Sequence, residues 1–468
     1  MHRRTLFIFR QDLRTFDNLW LSKAIEDSDE IIPLFIFDTT RVKHFPSNDT
    51  RIWFLIEAVQ RLEQALIEKG GGLLVQIGDP VHCIPTLIQE YWITAVYYNR
   101  SYGSGSLQRD REIHQRCQKN AIVHRDCADY LLVEPETTPV RKVFTPYYSL
   151  RQAADKRIEL ISLDRCKTPP LHKVSRDRIT QQLGGGVSTR SADAGPHLLT
   201  AFSYTTYSET RNIPSLEHGT SKLSPYLRFG LLSCRQILRH VLDTTAPRDQ
   251  WNDQWIHYDT ETGTVTFDKK RFSHTYISEL ARREFRQHIA VNFPESRHLE
   301  FQEKRRHMAR DNNEQRLLAR TRWETGYPIV DAGMRQLLTE HRMHNRVRMI
   351  VASFLTKDLL IDRRHGEAHF AEYLLDYDEN VNIGNRQRSA SVGADPKPVR
   401  IFNPILQSQR FDPYAEYILK RIPELKHQPL AAIHDPLTHT LDYHPPIVNH
   451  YVRSKQAKEL YYPPQRSG

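Results

Sequence analysis

Short apolar segments alternate with amphipathic segments over the first 130 residues of the chain. TLFIF, IIPLFIF, LLVQI and AVYY have the length and continuity of buried strands. Apolar residues recur at helical spacing near Leu19–Ile25, Ile52–Ile67 and Cys83–Tyr91. This alternation predicts a doubly wound parallel sheet that binds ligands beyond the carboxyl ends of its strands. No G-x-G-x-x-G follows the first strand, and Gly70–Gly72 is interpreted as a helix stop.

The pattern changes twice after this region. Between Leu131 and Thr206 it loosens, and LHKVSRDRITQQLGGGVSTRSADAGPHLL predicts a long connecting loop. From Tyr207 onward, helical periodicity dominates to the end. We therefore expect an α/β domain at 1–130, a linker at 131–206 and an almost entirely helical domain at 207–468. No apolar run reaches the roughly 18 residues of a membrane span, so we expect no membrane association.

Polar residues interrupt the most apolar helices, between Thr325 and Pro404. Gly326 and Pro328 predict a helix start, and apolar residues then recur at helical spacing through Leu355. Among them stand Asn345, Arg346, Arg348, Asp376, Asp378 and Asn382. Buried polar groups need partners, which a self-satisfied internal network or a bound polar ligand could provide. The residues alone favour the network.

A second candidate site is the segment Gly219–Pro225, which reads GTSKLSP. It places small hydroxyl side chains at the start of a helix. Free N–H groups and hydroxyls there suit a pyrophosphate, although a capped helix without a ligand has the same sequence pattern.

Composition narrows the classes of protein. The length of 468 residues indicates two domains, and the formal net charge of +10 suits a polyanionic partner. The five cysteines are odd in number and lack C-x-x-C spacing. This argues against a disulfide framework or a zinc site, and the absence of a secretory pattern at the N-terminus agrees with a reducing cytoplasm.

Several ordered motifs together resemble the photolyase/cryptochrome family. They are LFIFRQDLRTFDN, GTSKLSPYLRFGLLS, TGYPIVDAGMRQL, MHNRVRMIVASFLTKDLLID, DYD, RIFNP and PPIVNH, and the resemblance covers most of the chain. It implies an α/β N-terminal doubly wound parallel sheet followed by an all-α C-terminal FAD-binding domain. It also implies an antenna chromophore, which is methenyltetrahydrofolate or deazaflavin where one is present.

The resemblance assigns residues to FAD. The phosphates would be held by Tyr207 and by Thr220, Ser221, Lys222, Leu223 and Ser224. Asp376, Tyr377 and Asp378 would contact the ribityl chain and the isoalloxazine. Arg348 would pair with Asp376, and Asn382 would face flavin N5.

The resemblance also implies a substrate, cyclobutane pyrimidine dimers in UV-damaged DNA. Glu279 would hydrogen-bond the pyrimidine carbonyl, with Asn345 and Met349 beside the dimer, and the DNA contacts would include Arg282, Arg283, Arg346 and Arg388. Asn345 and Met349 stand where the (6-4) repair branch has histidines. The implied protein is a monomeric light-driven repair lyase. Two alternatives stay open: a cryptochrome-like blue-light photoreceptor, and a degenerate homologue that binds FAD or DNA without repair.

Seven arginines depart from the family pattern at positions where the family usually has tryptophan. They are Arg282, Arg310, Arg320, Arg342, Arg363, Arg386 and Arg388. Arg386, Arg363 and Arg310 align with the family's chain of three tryptophans that carries electrons to the flavin. We expect Arg386 and Arg388 to be shielded from water and Arg310 to reach it.

Two explanations account for these arginines. Either the chain is an altered homologue that lost photoreduction, or one codon written as arginine is decoded as tryptophan, since codons for the two can differ by one base. The other motifs are intact, which favours decoding. In that case the formal net charge falls by seven, from +10 to +3.

Overall fold

The chain forms two compact units. A computed structural model describes residues 2–42, 49–153, 163, 165–171, 176–183, 190–245, 256–259, 264–267, 275–394 and 398–462. One unit comprises Met1–Pro139, Ser149–Tyr204 and Lys222–Glu284; the other comprises Val140–Tyr148, Thr205–Ser221 and Phe285–Gly468. Within the described residues, no helix has both the length and the apolar character needed to cross a bilayer.

The first unit is built on a five-stranded parallel sheet. Its strands are β1 (His2–Phe9), β2 (Ser28–Asp38), β3 (Leu74–Gly78), β4 (Ala95–Asn99) and β5 (Val123–Cys127), in the order β3-β2-β1-β4-β5. The doubly wound sheet and four of its strands are as predicted. The fifth strand, β5, was not predicted, because its sequence VHRDC lacks an apolar run, as an edge strand covered on fewer sides can.

Five helices connect these strands: α1 (Leu19–Glu26), α2 (Thr39–Val42), α3 (Thr50–Glu68), α4 (Pro80–Glu90) and α5 (Ser104–Lys119). Asn18, Asp49 and Asp79 cap α1, α3 and α4 by accepting backbone N–H bonds. After α3, Gly70 adopts a φ of +81°, and the Gly71 N–H donates to the Leu66 carbonyl at 2.9 Å. The predicted helix stop is therefore confirmed.

The expected loop at 131–206 contains helices. The described residues there include α6 (Phe144–Ala153), α7 (Arg176–Leu183) and α8 (Ala194–Ala201). Their weak local periodicity did not predict these helices, which are stabilised by packing against other elements. The ring centroids of Phe144 and Phe285 lie 5.6 Å apart, and Leu199 on α8 is buried. The prediction of an irregular segment was wrong for these three stretches.

The remaining helices are α9 (Tyr207–Thr210), α10 (Ser224–Arg228), α11 (Cys234–Thr245), α12 (Thr275–Asn292), α13 (Glu314–Thr321), α14 (Pro328–Glu340), α15 (Asn345–Ser353), α16 (Arg363–Tyr373), α17 (Glu379–Ser389), α18 (Pro404–Phe411), α19 (Glu416–Arg421), α20 (Leu430–His434) and α21 (His450–Tyr461). A π-helical turn, Phe354–Asp358, continues α15. The described residues after Tyr207 are largely helical, as expected, apart from the antiparallel pair β6 (Ile256–Asp259) and β7 (Thr264–Phe267).

The core of the second unit lies between α14 and α15. As predicted, α14 begins at Pro328. Met334, Leu337, Val347 and Val351 are fully buried between the two helices. The two helices approach so closely at Gly333 that a Cβ atom there would lie 2.5 Å from Val347 Cγ1. Only glycine fits at this position. This packing places the first turn of α15 and the Asp376–Asp378 segment in a fixed frame.

Candidate functional site

Arg348 and Asp376 form the first pair of the site. Arg348 Nη2 donates to both carboxylate oxygens of Asp376, at 3.1 and 3.0 Å, and Nε donates to the Met343 carbonyl at 2.7 Å. The side chain of Asp376 is only 8% exposed, so its charge needs this compensation. The pairing expected from the resemblance is confirmed.

Asp378 is held by a residue that the sequence analysis missed. Gln287 Nε2, on α12, donates to both oxygens of Asp378 at 2.9 Å. Asp378 also caps α17 by accepting the Val381 N–H at 3.1 Å. Gln287 in turn accepts a bond from Asn380 at 2.7 Å. These bonds fix the carboxylate at the head of α17.

Tyr377 and Asn382 converge on Glu367 of α16. The Tyr377 hydroxyl donates to Glu367 Oε1 at 2.9 Å, and Asn382 Nδ2 donates to the same oxygen at 3.1 Å. Burial, followed by the Glu367 charge, raises the pKa of Tyr377, so this hydroxyl stays a donor. Asn382 is 7% exposed. The sequence analysis did not single out Glu367, because nothing in its local pattern marks an inward-facing position.

The GTSKLSP segment turns sharply before α10. Lys222 has a φ of +57°, α10 begins at Ser224, and no side-chain hydrogen bond caps it at Leu223. Thr210 Oγ1 donates to the Gly219 carbonyl at 3.0 Å, and Ser221 is 8% exposed. Tyr207 opens α9, with the Arg211 guanidinium 5.5 Å from its ring centroid. Because α10 has only five residues, its dipole is small, and a phosphate there would depend on the free N–H groups and the hydroxyls of the segment.

Glu279, Arg282 and Arg283 lie on α12. Arg282 Nε is 3.6 Å from Glu279 Oε1, and both side chains are about one-third exposed. Arg283 packs over the Tyr130 ring at 4.4 Å and donates to Cys234 Sγ at 3.4 Å. These contacts already engage Arg283, so its contact with DNA stays a prediction.

Three further assigned residues lie in the first turns of α15, where Asn345 is exposed and Met349 half-buried. Arg346 donates to Asn212 at 2.7 Å and lies 4.2 Å from the centroid of the Phe411 ring. The Arg410 guanidinium also contacts this ring, at 5.3 Å. Burial lowers the pKa of Arg346, and the charges of Arg211 and Arg410 lower it further.

We call Arg211, Arg346, Arg410 and Phe411 the basic rim. Three guanidinium groups that repel one another beside an exposed helix end favour an anionic ligand. The sequence analysis found only Arg346 of this group.

The seven arginines divide by burial. Arg320, Arg363 and Arg386 are 0%, 1% and 5% exposed. Arg282, Arg342 and Arg388 are half-buried. The expectation for Arg388 was therefore wrong: it lies two residues after Arg386 on α17, and positions two apart point to different sides of a helix. Arg310 is also less accessible than expected, with 6% of its side chain exposed.

Two of the three relay positions are neighbours. Arg310 Nη2 and Arg363 Nε lie 3.7 and 3.6 Å from the same oxygen of Glu300. Arg386 lies 4.2 Å from the centroid of the Phe370 ring, and its Nη1 donates to the Arg348 carbonyl at 3.5 Å. Position 386 therefore adjoins the backbone of Arg348, which pairs with Asp376.

Comparison with known proteins agrees with this geometry. A family model described as DNA photolyase matches residues 5–167, and one described as the FAD-binding domain of DNA photolyase matches residues 276–462. The chain is 35% identical to a deoxyribodipyrimidine photo-lyase from Synechococcus, over 97% of this chain and 96% of the relative. It is 33% identical to the enzyme of that name from Escherichia coli, over 94% and 95% of the two chains.

Solved structures give the same result. An archaeal photolyase from Sulfolobus tokodaii with two FAD molecules has a TM-score of 0.83 at 29% identity, over 98% of this chain and 99% of the other. A cryptochrome from Synechocystis has a TM-score of 0.84 at 26% identity, with the same coverage.

Proposed function

Because the chain belongs to the DNA photolyase family, we propose that it is a light-driven DNA repair lyase that uses FAD to split cyclobutane pyrimidine dimers. The observation that carries this proposal is the linked set of polar bonds Arg348–Asp376, Gln287–Asp378 and Glu367–Asn382 in the helical unit. Such a set holds charged and hydrogen-bonding side chains in fixed positions on buried helices. A core with no ligand-binding role would usually be apolar there.

The residues of the second unit fit FAD. Asp376, whose side chain is nearly buried, and Asp378 are carboxylates that can accept bonds from ribityl hydroxyls or ring N–H groups. Thr220 and Ser221 offer hydroxyls to phosphate oxygens. Asn382 has an amide fixed by Glu367, which suits a group that must keep one orientation toward a flavin nitrogen. When bound and photoexcited, reduced FAD supplies the electron that opens the dimer.

Asp376→Lys should abolish FAD binding. The substitution removes the partner of Arg348 and places two cations about 3 Å apart. Purified wild-type protein should carry FAD non-covalently at one per chain, measured by its absorbance after denaturation. Asp442→Lys is the matched control because Asp442 is exposed on the same unit. Wild-type protein that gains no flavin absorbance on reconstitution would contradict the cofactor assignment.

The chain's own residues would bind and orient the lesion. We assign Glu279 to the pyrimidine carbonyl, Asn345 to the same dimer and Met349 to packing beside it. Arg282 and Arg388 would adjoin the dimer, with Arg283 on the DNA. Chemistry on a paired base requires the lesion to leave the duplex, and the basic rim would hold phosphates of the flipped strand.

Arg410→Gln should weaken binding to DNA. A plot of log affinity against log salt concentration has a negative slope. Losing one phosphate contact should make this slope less steep by about one. The effect should be similar for damaged and undamaged duplexes, because a phosphate contact carries no sequence or lesion information. Lys455→Gln, an exposed cation on α21, should leave the slope unchanged. Equal slopes for wild type and Arg410→Gln would remove Arg410 from the DNA-binding surface.

An antenna chromophore would bind at the carboxyl edge of the parallel sheet. Arg10, directly after β1, stacks on Tyr98 of β4 at 3.7 Å and donates to Asp110 at 2.8 Å. Burial and the charges of Arg10 and Arg41 lower the pKa of Arg109 to about 9. Buried cations at a ligand-binding edge suit an acidic chromophore, such as methenyltetrahydrofolate or deazaflavin. The relative from Sulfolobus tokodaii contains a second FAD.

We further propose that the protein works as a monomer in the cytoplasm. The cysteines whose side chains the structure describes, Cys83, Cys117, Cys166 and Cys234, are not in disulfides, which agrees with a reducing compartment.

A further inference from the structure

Buried arginines among the described residues differ in how their charge is compensated. Arg14, Arg51 and Arg235 are 7–8% exposed, and each lies within hydrogen-bond distance of a carboxylate. Their partners are Asp129 at 2.9 Å, Asp49 at 2.5 Å and Asp17 at 3.1 Å, respectively. This is the usual condition for burying a guanidinium. These three arginines can be compared with the buried arginines that have no such carboxylate partner among the described residues.

Among the residues described, Arg320 is buried without the carboxylate partner that these three arginines have. It is 0% exposed, and none of its three guanidinium nitrogens has a hydrogen-bond partner within the part of the chain that the structure describes. Burial alone lowers its pKa to about 10. Since arginine stays protonated in protein interiors, this position would hold an uncompensated cation.

Arg386 is almost as poorly compensated. Among the described residues its Nε has no partner, and its one hydrogen bond to the Arg348 carbonyl is long, at 3.5 Å. Burial and the charges of Arg348 and Arg320 lower its pKa to about 9. Glu367 opposes this shift, but its carboxylate already accepts bonds from Tyr377 and Asn382.

Arg363 lies in a region with excess positive charge. Its Nε and Nη1 lack hydrogen-bond partners among the described residues, and it shares one carboxylate, that of Glu300 at 3.6 Å, with Arg310. Lys357 is buried nearby, where burial and the charges of Arg310 and Arg305 lower its pKa well below the ordinary value. Asp362 is already bound by Arg364 through two nitrogens.

A bound ligand cannot repair this imbalance. A ligand touches only atoms that are exposed in its absence, and Arg320 and Arg363 are 0% and 1% exposed without one. The positions therefore call for side chains that are large, neutral and satisfied by at most one hydrogen bond.

We propose that the natural polypeptide carries tryptophan at positions 320, 363 and 386, because one codon written as arginine is decoded as tryptophan. The same decoding then applies to positions 282, 310, 342 and 388. Tryptophan is neutral, is large enough for these sites, and can be one base away from arginine in the code.

Each of the three sites has a possible acceptor for the single indole N–H. The Leu299 carbonyl already accepts from Arg363 at 3.2 Å, and the Arg348 carbonyl accepts from Arg386. Near position 320, His369 Nε2 is buried and has no hydrogen-bond partner in the described part of the chain. Burial lowers the pKa of His369 to about 3, so its neutral ring offers an acceptor nitrogen. At position 386 the guanidinium carbon lies 4.2 Å from the centroid of the Phe370 ring, so an aromatic side chain there would have a ring to pack against.

Mass spectrometry of the protein purified from the organism that encodes it gives the direct test. Trypsin should not cleave after positions 320, 363 and 386, and the spanning peptides should have the mass of tryptophan at each. Arg14 and Arg235, which have carboxylate partners, should be detected as arginine. The codon at the seven positions should be shared and should differ from those of Arg14 and Arg235. A peptide with arginine at position 320 would overturn the proposal.

Thermal unfolding of the protein produced in a host that uses the standard genetic code gives an independent test. Such a host places arginine at the seven positions, so the cost of burying these cations can be measured. The combined substitution Arg320→Trp, Arg363→Trp and Arg386→Trp should raise Tm by roughly 10 °C over the written chain, or turn an insoluble product into a folded one. Arg364→Trp is the matched control: it follows Arg363 on α16, and its side chain is 55% exposed. It should give no such gain. A written chain as stable as the triple variant would show that the guanidinium groups are compensated and would overturn the proposal.

Discussion

Glu279→Ala is expected to slow dimer splitting about 10- to 100-fold when FAD is supplied already reduced. Pre-reduction bypasses the electron relay, so the assay measures only the dimer pocket. The pocket is tested in a background with Arg282→Trp and Arg388→Trp, which restores the aromatic positions beside the dimer. Loss of one hydrogen bond to a charged group costs about 1.5–3 kcal/mol, which sets the expected factor. The measurement is loss of thymine dimers under blue light.

Two controls make this result specific. Glu303→Ala removes a carboxylate whose side chain is 81% exposed, and it should leave the rate unchanged. FAD content must be equal in all variants, so that a slow rate is not a missing cofactor. If the double-tryptophan background binds FAD but leaves dimers untouched, the photoreceptor function replaces repair. If Glu279→Ala and its parent split dimers equally fast, Glu279 does not act on the dimer.

Tryptophan at positions 310, 363 and 386 together is expected to restore photoreduction of oxidised FAD. The written chain should photoreduce poorly, because a guanidinium has no accessible oxidation. Arg310→Trp alone should not restore the reaction, since the relay is serial. Positions 310 and 363 both approach Glu300, while position 386 adjoins Arg348, so each change supplies a different step.

The rate of flavin bleaching under blue light with an external reductant distinguishes these versions. Arg364→Trp, beside position 363 but exposed, should not substitute for Arg363→Trp. Equal bleaching in the written and triple-substituted proteins would show that electrons reach the flavin by another route. The assignment of these three positions to the relay would then be wrong, whatever the repair assay gives.

Features that depend on local pattern could be predicted before the fold was known. Strand–helix alternation identified the parallel sheet, and Pro328 marked the start of α14 because proline fits a first helical turn. The ordered motifs led to the family and to the Arg348–Asp376 pair. They also identified the arginines that conflict with a buried environment. Local spacing was sufficient there because these features extend over a few residues or repeat along one element.

Contacts between residues far apart in the chain became known from the folded structure. Gln287 reaches Asp378 across 91 positions and Arg346 reaches Asn212 across 134, and no periodicity encodes either contact. The same holds for Glu367, which receives both Tyr377 and Asn382, and for the edge strand β5. Burial also depends on the packing of distant elements. Arg386 and Arg388 are the same residue type two positions apart on one helix, yet Arg386 is buried and Arg388 is half-buried. A helix fixes the direction of each side chain, but the elements packed around it decide whether that direction leads to water or to the core.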